Sequence, residues 1–227
     1  MPITLSFANP AAVSGAYLEQ SRPLAEAIQE IPNLVGVWVP SDYQDGAIST
    51  VAPKYGAAVL TASGTVNKGT VENRPAFTFD ANASALIGTW AAAGSPYSAL
   101  FSFYIRDTSF DFQNFFGPNG APRLLFRRAS GGSIQWAAST NISGISLTPP
   151  IIGWHTAEIY GSETQTRLII DGVGRDIAQA GNNNAMLRFG ASPAAGDRTS
   201  VAIGAMIACN SNIFQTEAAD AAKAFLF

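Results

Sequence analysis

Hydrophobic residues recur at every second position over most of the chain, which is the spacing of β-strands with one buried face. The alternation begins after Asn33 and is interrupted by turns rich in Gly, Asp, Asn and Ser. It predicts strands at residues 34–39, 76–79, 97–105, 123–127, 133–137, 154–160, 166–170, 186–189 and 200–207. Short turns such as Ser130-Gly-Gly and Asp171-Gly172 predict hairpins between neighbouring strands.

The helical spacing of hydrophobic residues occurs near the two ends of the chain. Residues 21–32 predict a short helix in which Ser21 caps the first turn, Pro23 lies within it and Pro32 ends it. Residues 216–227 predict a second helix with Thr216 as its cap. Many short strands with helices at the ends are typical of an antiparallel β-sandwich.

The domain prediction follows from the same change of pattern. At roughly 150 residues per domain, 227 residues correspond to about one and a half domains. We therefore expect one sandwich domain over residues 33–227, preceded by an N-terminal arm and docking helix over residues 1–32. A helix this short is not stable alone and must pack against its own domain or another subunit.

Five sequence pieces occur in an order that resembles a known superfamily. They are Leu34-Val-Gly-Val-Trp38, Arg74-Pro-Ala-Phe-Thr-Phe-Asp80, Trp154-His155, Arg167-Leu-Ile-Ile-Asp171-Gly172, and Phe189-Gly190 followed by Ile203-Gly204-Ala-Met-Ile207. Together they resemble the concanavalin A-like, laminin-G-like jelly rolls over residues 33–227. The resemblance implies an all-β, antiparallel jelly-roll β-sandwich. Its members include lectins, carbohydrate-binding modules, adhesive extracellular modules, glycoside hydrolases and bacteriophage virion proteins.

Composition narrows the classes of partner. Charged residues make up 13% of the chain and the net charge is −3, so the clustered basic residues that bind nucleic acid are missing. Cys209 is the single cysteine, which excludes an intrachain disulfide. The first residues show no basic segment followed by a long apolar run, so we expect synthesis in the cytoplasm without a signal peptide. Residues 81–105 carry no charge, but Gly, Ser and Pro interrupt them. They predict two strands and a loop, without membrane insertion.

Catalytic patterns are weak in this sequence. His155 is the single histidine, so a zinc site with two or three histidines is impossible, and its position in a strand start favours a structural role. The Glu-x-Asp-x-(x)-Glu strand of laminarinase-like enzymes is missing. Glu158 and Glu163 have the nearest spacing, but a Gly-Ser turn separates them. We therefore expect that the chain is not an enzyme and has no catalytic residue.

No cofactor or metal site is predicted. Loop oxygens of Asp42, Asp45, Asp80 and Asn82 could serve calcium, as in laminin-G-like and legume-lectin-like folds. Asp and Asn also occur in turns for local reasons, because their side chains bond to nearby backbone. The turn explanation is favoured here.

Aromatic side chains are the candidates for contact with a glycan. The predicted platform consists of Trp90, Tyr97, Phe115 and Phe116. Trp90 lies beside small residues at 91–94, which favours an exposed ring. Trp38 and Trp154 lie within strand patterns and are assigned to the core, whereas Trp136 fits either position.

Low charge also bears on assembly, because a weakly charged surface can be buried against another subunit at little desolvation cost. The predicted docking residues are Leu24, Ile28, Ile31 and Phe227. The alternative is that both chain ends fold back onto the sandwich. The resemblance and composition together favour a non-enzymatic structural or adhesion component of a phage virion. Its partners would be identical subunits, other virion proteins and a cell-surface glycan. The alternative function is a carbohydrate-binding module, and a third is a glycoside hydrolase.

Overall fold

Strands dominate the computed structural model, which describes residues 23–79, 84–90, 96–108, 112–117, 123–127, 133–138, 141–146, 152–162, 164–177, 186–190 and 201–227. The helices are α1 (Leu24–Gln29) and α2 (Glu217–Leu226), with a 3-10 turn at Pro40–Asp42. The strands are β1 (Leu34–Trp38), β2 (Gly46–Ala47), β3 (Thr50–Val51), β4 (Tyr55–Gly56), β5 (Leu60–Ser63), β6 (Val66–Val71), β7 (Arg74–Phe79), β8 (Ala85–Thr89), β9 (Tyr97–Ile105), β10 (Phe112–Phe116), β11 (Arg123–Arg127), β12 (Ser133–Ala138), β13 (Asn141–Ser146), β14 (Gly153–Gly161), β15 (Thr166–Ile170), β16 (Val173–Ile177), β17 (Met186–Gly190) and β18 (Val201–Cys209).

These strands form two antiparallel sheets. The ten-stranded sheet has the order β16-β15-β14-β9-β18-β7-β6-β2, with β1 paired to both β18 and β4. The eight-stranded sheet has the order β13-β12-β11-β10-β17-β8-β5-β3. Side chains from both sheets meet in one large hydrophobic cluster. The predicted all-β antiparallel sandwich is therefore confirmed.

Strand β9 lies at the centre of the ten-stranded sheet and is buried on both faces. Phe101 and Phe103 point into the core between the sheets, where Phe101 packs on Phe116 and Phe189 of the eight-stranded sheet with ring centroids 5.7 and 5.5 Å away. Because side chains alternate along a strand, Ser102 points to the outer face. Something must therefore cover the outer face as well.

The two helices cover one end of that outer face. Ile28 and Ile31 are 0% and 3% exposed and pack in one cluster with outer-face residues of β1, β9, β14 and β18. Thr216 caps α2 as predicted, because its Oγ1 accepts a hydrogen bond from the amide of Ala219 at 3.4 Å. The prediction that Ile28 and Ile31 dock on another subunit is wrong, since they are buried within their own chain. Leu24 and Phe227 are exposed.

Most predicted strands lie within one or two residues of their observed bounds. Residues 81–105 contain β8 and β9, which confirms the prediction of two strands. The helix predicted from residue 21 begins at Leu24, with Pro23 at the cap position. Ser21 and the predicted arm lie outside the described residues, so the boundary at residue 32 stays a prediction. Among the described helices, none has the length and apolar character to cross a membrane.

Candidate functional site

The four aromatic residues predicted to form a glycan platform lie in the core. Trp90, Tyr97, Phe115 and Phe116 are 6%, 2%, 0% and 4% exposed. Trp90 packs on Tyr97 and Phe116 at centroid distances of 5.2 and 6.4 Å. Phe115 and Phe116 belong to β10 rather than to a loop. The expectation that these rings are accessible is wrong, because each one fills space between the two sheets.

Trp154, which the sequence analysis assigned to the core, lies on the outer face of the ten-stranded sheet and is partly exposed. Its neighbour His155 points inward, so the alternation of β14 turns Trp154 outward. The indole Nε1 donates to the carbonyl of Val71 at 3.2 Å. The ring of Tyr104 packs 5.5 Å away. These contacts fix the indole while leaving part of it in reach of solvent.

A pocket of about 290 Å³ lies beside Trp154. It forms where β18 changes its neighbouring strand. Met206 of β18 pairs with Trp38 of β1, whereas Ile203 of β18 pairs with Phe77 of β7. The register with β9 shifts between Ile203 and Met206, which marks a β-bulge. Bulges often occur next to binding sites, because they redirect side chains and end regular pairing. We call this cavity the Trp154 pocket, and its walls include Val39, Pro40, Ser41, Arg74, Pro75, Leu226 and Phe227.

The floor of the Trp154 pocket contains Gly204 and Ser102. A Cβ at Gly204 would overlap the Ser102 hydroxyl and lie 3.4 Å from the Trp154 ring, so only glycine keeps the floor open. Ser102 is 7% exposed, and within the described part of the chain its hydroxyl makes no hydrogen bond. A hydroxyl has one donor and two acceptor sites, and no described protein group uses those of Ser102. It can therefore donate to or accept from a ligand.

Arg74 lies over the Trp154 ring, with its guanidinium carbon 5.5 Å from the ring centroid. Among the described residues it has no carboxylate partner, and it is exposed. A ligand in the pocket would thus meet an apolar indole, a guanidinium with free donors and the Ser102 hydroxyl. Apolar surface combined with a few directed polar groups is the usual make-up of a small-molecule site.

Glu72 and Tyr104 form a polar pair next to this site. The Tyr104 hydroxyl donates to Glu72 Oε1 at 2.8 Å. This hydrogen bond, together with burial, raises the pKa of Tyr104 above its usual value of 10.0. The phenol therefore remains a donor at neutral pH. Tyr104 thus contacts both the Glu72 carboxylate, through its hydroxyl, and the Trp154 indole, through its ring.

His155 and Asp171 form a second polar pair, on the opposite face of β14 from Trp154. His155 Nδ1 is 2.7 Å from Asp171 Oδ2, and Asp171 Oδ1 accepts from the Thr156 amide at 2.8 Å. Burial raises the pKa of Asp171, but the hydrogen bonds from His155 and Thr156 outweigh it and hold the pKa below its usual value of 3.8. Asp171 and Gly172 both have positive φ, as the predicted Asp-Gly hairpin turn requires. The pair fastens this hairpin to β14.

Replacement of Asp171 with Asn should lower the free energy of unfolding at pH 7 by about 1 kcal/mol, a value kept low because the side chain is 40% exposed. A lowered folded-state pKa stabilises the fold above pH 4, and this contribution is lost as the pH falls through that pKa. The difference between the variant and the wild type should therefore shrink below pH 4. Urea titrations at pH 7, 5 and 3 measure it. A difference that stays constant over this range would contradict the assignment.

Glu158, one of the carboxylates considered for hydrolysis, lies beneath α2 and is 8% exposed. It accepts a hydrogen bond from Tyr160 at 2.6 Å. Burial, together with this bond, raises the pKa of Tyr160, so the phenol is a permanent donor. Glu163 lies outside the described residues. Glu158 is therefore part of a buried hydrogen-bonded pair with Tyr160 and does not face an open groove.

Two of the acidic residues considered for calcium form ion pairs with lysines. Asp42 lies 3.2 Å from Lys54, and Asp45 lies 2.5 Å from Lys68. Asp80 and Asn82 lie outside the described residues. Over the part of the chain that the structure describes, no three His, Cys, Asp or Glu side chains are grouped to hold a metal ion.

Comparison with solved structures places this fold among β-sandwich proteins. Trypanosoma rangeli sialidase in complex with sialic acid matches with a TM-score of 0.62 and 12% identity, over 95% of this chain and 38% of the sialidase. A structure concerned with ganglioside-dependent cell entry of botulinum neurotoxin type C matches with a TM-score of 0.59 and 10% identity, over 88% of this chain and 52% of that one. The binding domain of botulinum neurotoxin DC, in complex with rat synaptotagmin II, matches with a TM-score of 0.57 and 12% identity, over 85% of this chain and 51% of that one.

These proteins share the fold of this chain. Their identities of 10–12% show the fold alone, and the chain spans well under two thirds of each of them. No family model matches the sequence. No curated protein matches it in sequence either.

The prediction that the chain is not an enzyme is contradicted by this comparison. Several of the matching structures are sialidases, which are enzymes. The fold therefore gives no ground for excluding enzymatic activity. The absence of a laminarinase-like carboxylate strand excludes only one kind of hydrolase.

Proposed function

We propose that this protein binds carbohydrate at the Trp154 pocket. The observation that carries the proposal is the partly exposed indole of Trp154 beside a pocket whose floor holds the unpartnered Ser102 hydroxyl. Sugars present both C–H groups and hydroxyl groups. The C–H groups would pack on the indole and on Phe227, and the hydroxyls would bond to Ser102 and Arg74.

The structural neighbours support this choice over the other candidate functions. One neighbour is a sialidase in complex with sialic acid, and another is described by its interaction with two ganglioside molecules. Carbohydrate is thus the ligand class that these two proteins have in common. The virion role and virion localisation stay predictions, because neither the neighbours nor the described contacts support them.

Replacement of Trp154 with Ala should weaken glycan binding by at least about tenfold. Truncation of an aromatic side chain at the centre of a binding site commonly lowers the affinity by this factor. A glycan array identifies the ligand, and calorimetry with the ligand found compares the variants. Phe214→Ala is the matched control. Phe214 is a partly buried aromatic residue on the same sheet face, and Arg167 lies 5.1 Å over its ring, as Arg74 does over Trp154.

The control should bind like the wild type, and thermal unfolding should show both variants folded. If no glycan binds the wild type, or if a folded Trp154→Ala protein binds as tightly as the wild type, the proposal is wrong.

A further inference from the structure

The charged side chain at the Trp154 pocket is a cation, although the whole chain has a net charge of −3. Of the lining side chains that the structure describes, that of Arg74 is the one that carries a charge. Its guanidinium has no acidic partner within the described residues. Glu72 lies two residues away, but its Oε1 accepts from Tyr104 and it does not lie among the lining residues.

A second arginine on the same sheet face, Arg167, also lies over an aromatic ring but is paired with a carboxylate. The ring is that of Phe214, and Nη1 of Arg167 donates to Asp176 Oδ2 at 2.7 Å. Arg74 has the ring and lacks the carboxylate. The position that Asp176 takes at Arg167 is therefore open at Arg74, next to the pocket.

The guanidinium group favours a particular anion. Its planar donors match the two oxygens of a carboxylate, and such bidentate pairs are stronger than hydrogen bonds between neutral groups. Stacking on Trp154 restricts Arg74 before a ligand arrives, so less conformational entropy is lost on binding. The pocket volume of about 290 Å³ lies at the small end of ligand sites, which suits one terminal sugar unit.

We infer that the Trp154 pocket selects a terminal sugar that bears a carboxylate, held by the free guanidinium of Arg74 while the Ser102 hydroxyl bonds to the sugar. This inference rests on the proposed function and adds the chemical class of the ligand. Glu72 acts against it, since its carboxylate is held by Tyr104, which packs on Trp154, and a negative charge near the pocket repels an anionic ligand. Removing the charge of Glu72 should therefore strengthen binding.

The experiment compares three trisaccharide or disaccharide probes by calorimetry: 3′-sialyllactose, 3′-sulfolactose and lactose. The wild type should bind 3′-sialyllactose most tightly, and added salt should weaken binding of the two anionic probes while leaving binding of lactose unchanged. Arg74→Gln should weaken binding of 3′-sialyllactose by about 10- to 100-fold and weaken binding of lactose by a much smaller factor, because lactose loses no charged hydrogen bond. Glu72→Gln should strengthen binding of 3′-sialyllactose. Arg167→Gln is the matched control and should leave the binding of all three probes unchanged.

The outcomes separate the inference from the proposed function. Suppose that the wild type binds lactose and 3′-sialyllactose equally well, and that Trp154→Ala removes this binding whereas Arg74→Gln does not. That result would overturn the preference for an acidic sugar and would still support carbohydrate binding at the pocket. Tighter binding of 3′-sulfolactose would overturn the assignment of a carboxylate. An arginine variant that loses lactose binding as well would show that Arg74 shapes the pocket and does not select charge. If no carbohydrate binds the wild type, both proposals fail.

Discussion

Phe101→Ala should lower the free energy of unfolding by about 3–5 kcal/mol, the usual cost of removing a large aromatic side chain from a core. Phe101 is 0% exposed on the central strand of the ten-stranded sheet. Its ring stacks on Phe116 at 5.7 Å and meets Phe189 edge-on at 5.5 Å, and both belong to the eight-stranded sheet. The substitution thus removes contacts between the two layers, and the rigid strands on either side limit how far the cavity can collapse.

Chemical unfolding in urea measures this loss. Val173→Ala is the control, because Val173 is 60% exposed in β16 and its replacement should change stability by no more than about 0.5 kcal/mol. A Phe101→Ala protein as stable as this control would show that the two sheets are not held together by the aromatic cluster.

Gly204→Val should abolish ligand binding at the Trp154 pocket. A side chain at this position overlaps the Ser102 hydroxyl and points toward the Trp154 ring, so it fills the floor of the cavity. The crowding should also lower the free energy of unfolding by about 1–3 kcal/mol, as overpacking commonly does. Binding should be lost even where the variant is fully folded, because the ligand and the new side chain need the same space.

Calorimetry with the ligand found for the wild type measures binding, and thermal unfolding measures stability. Gly69→Val is a matched control, since Gly69 lies in β6 and a Cβ there would meet nothing within 4 Å. It should bind as the wild type does. A folded Gly204→Val protein with wild-type affinity would move the binding site away from this pocket.

The alternation of hydrophobic residues was sufficient to predict the β-sandwich class and half of its strands. It placed β9, β14, β15 and β18 close to their observed bounds, because a residue that packs in a sandwich must recur on one face of its strand. Turn residues were equally informative: the Asp171-Gly172 pair predicted the hairpin that the positive φ values confirm. Strands β2 to β6, β10, β13 and β16 were missed. Of these, β2, β3 and β4 have two residues each, which are too few to show a period.

The candidate site could not be predicted in the same way. Alternation says that Trp154 and His155 face opposite sides of β14, but it does not say which side is the core. Trp90 looked exposed because small residues follow it in sequence, yet it packs on Tyr97. A tryptophan in a strand can face the other sheet or the outside, and the local sequence is compatible with both.

The sequence by itself determined that this chain forms strands, where nine of the eighteen described strands lie, and that helices occur near its ends. Those properties depend on spacing between neighbours in the chain. Only the tertiary structure decided which faces are buried and brought Arg74, Ser102, Trp154 and Gly204 together around one cavity. The physical reason is that the pocket arises where β18 changes from pairing with β1 to pairing with β7. Such a change depends on contacts between distant segments, which no periodicity along the chain records.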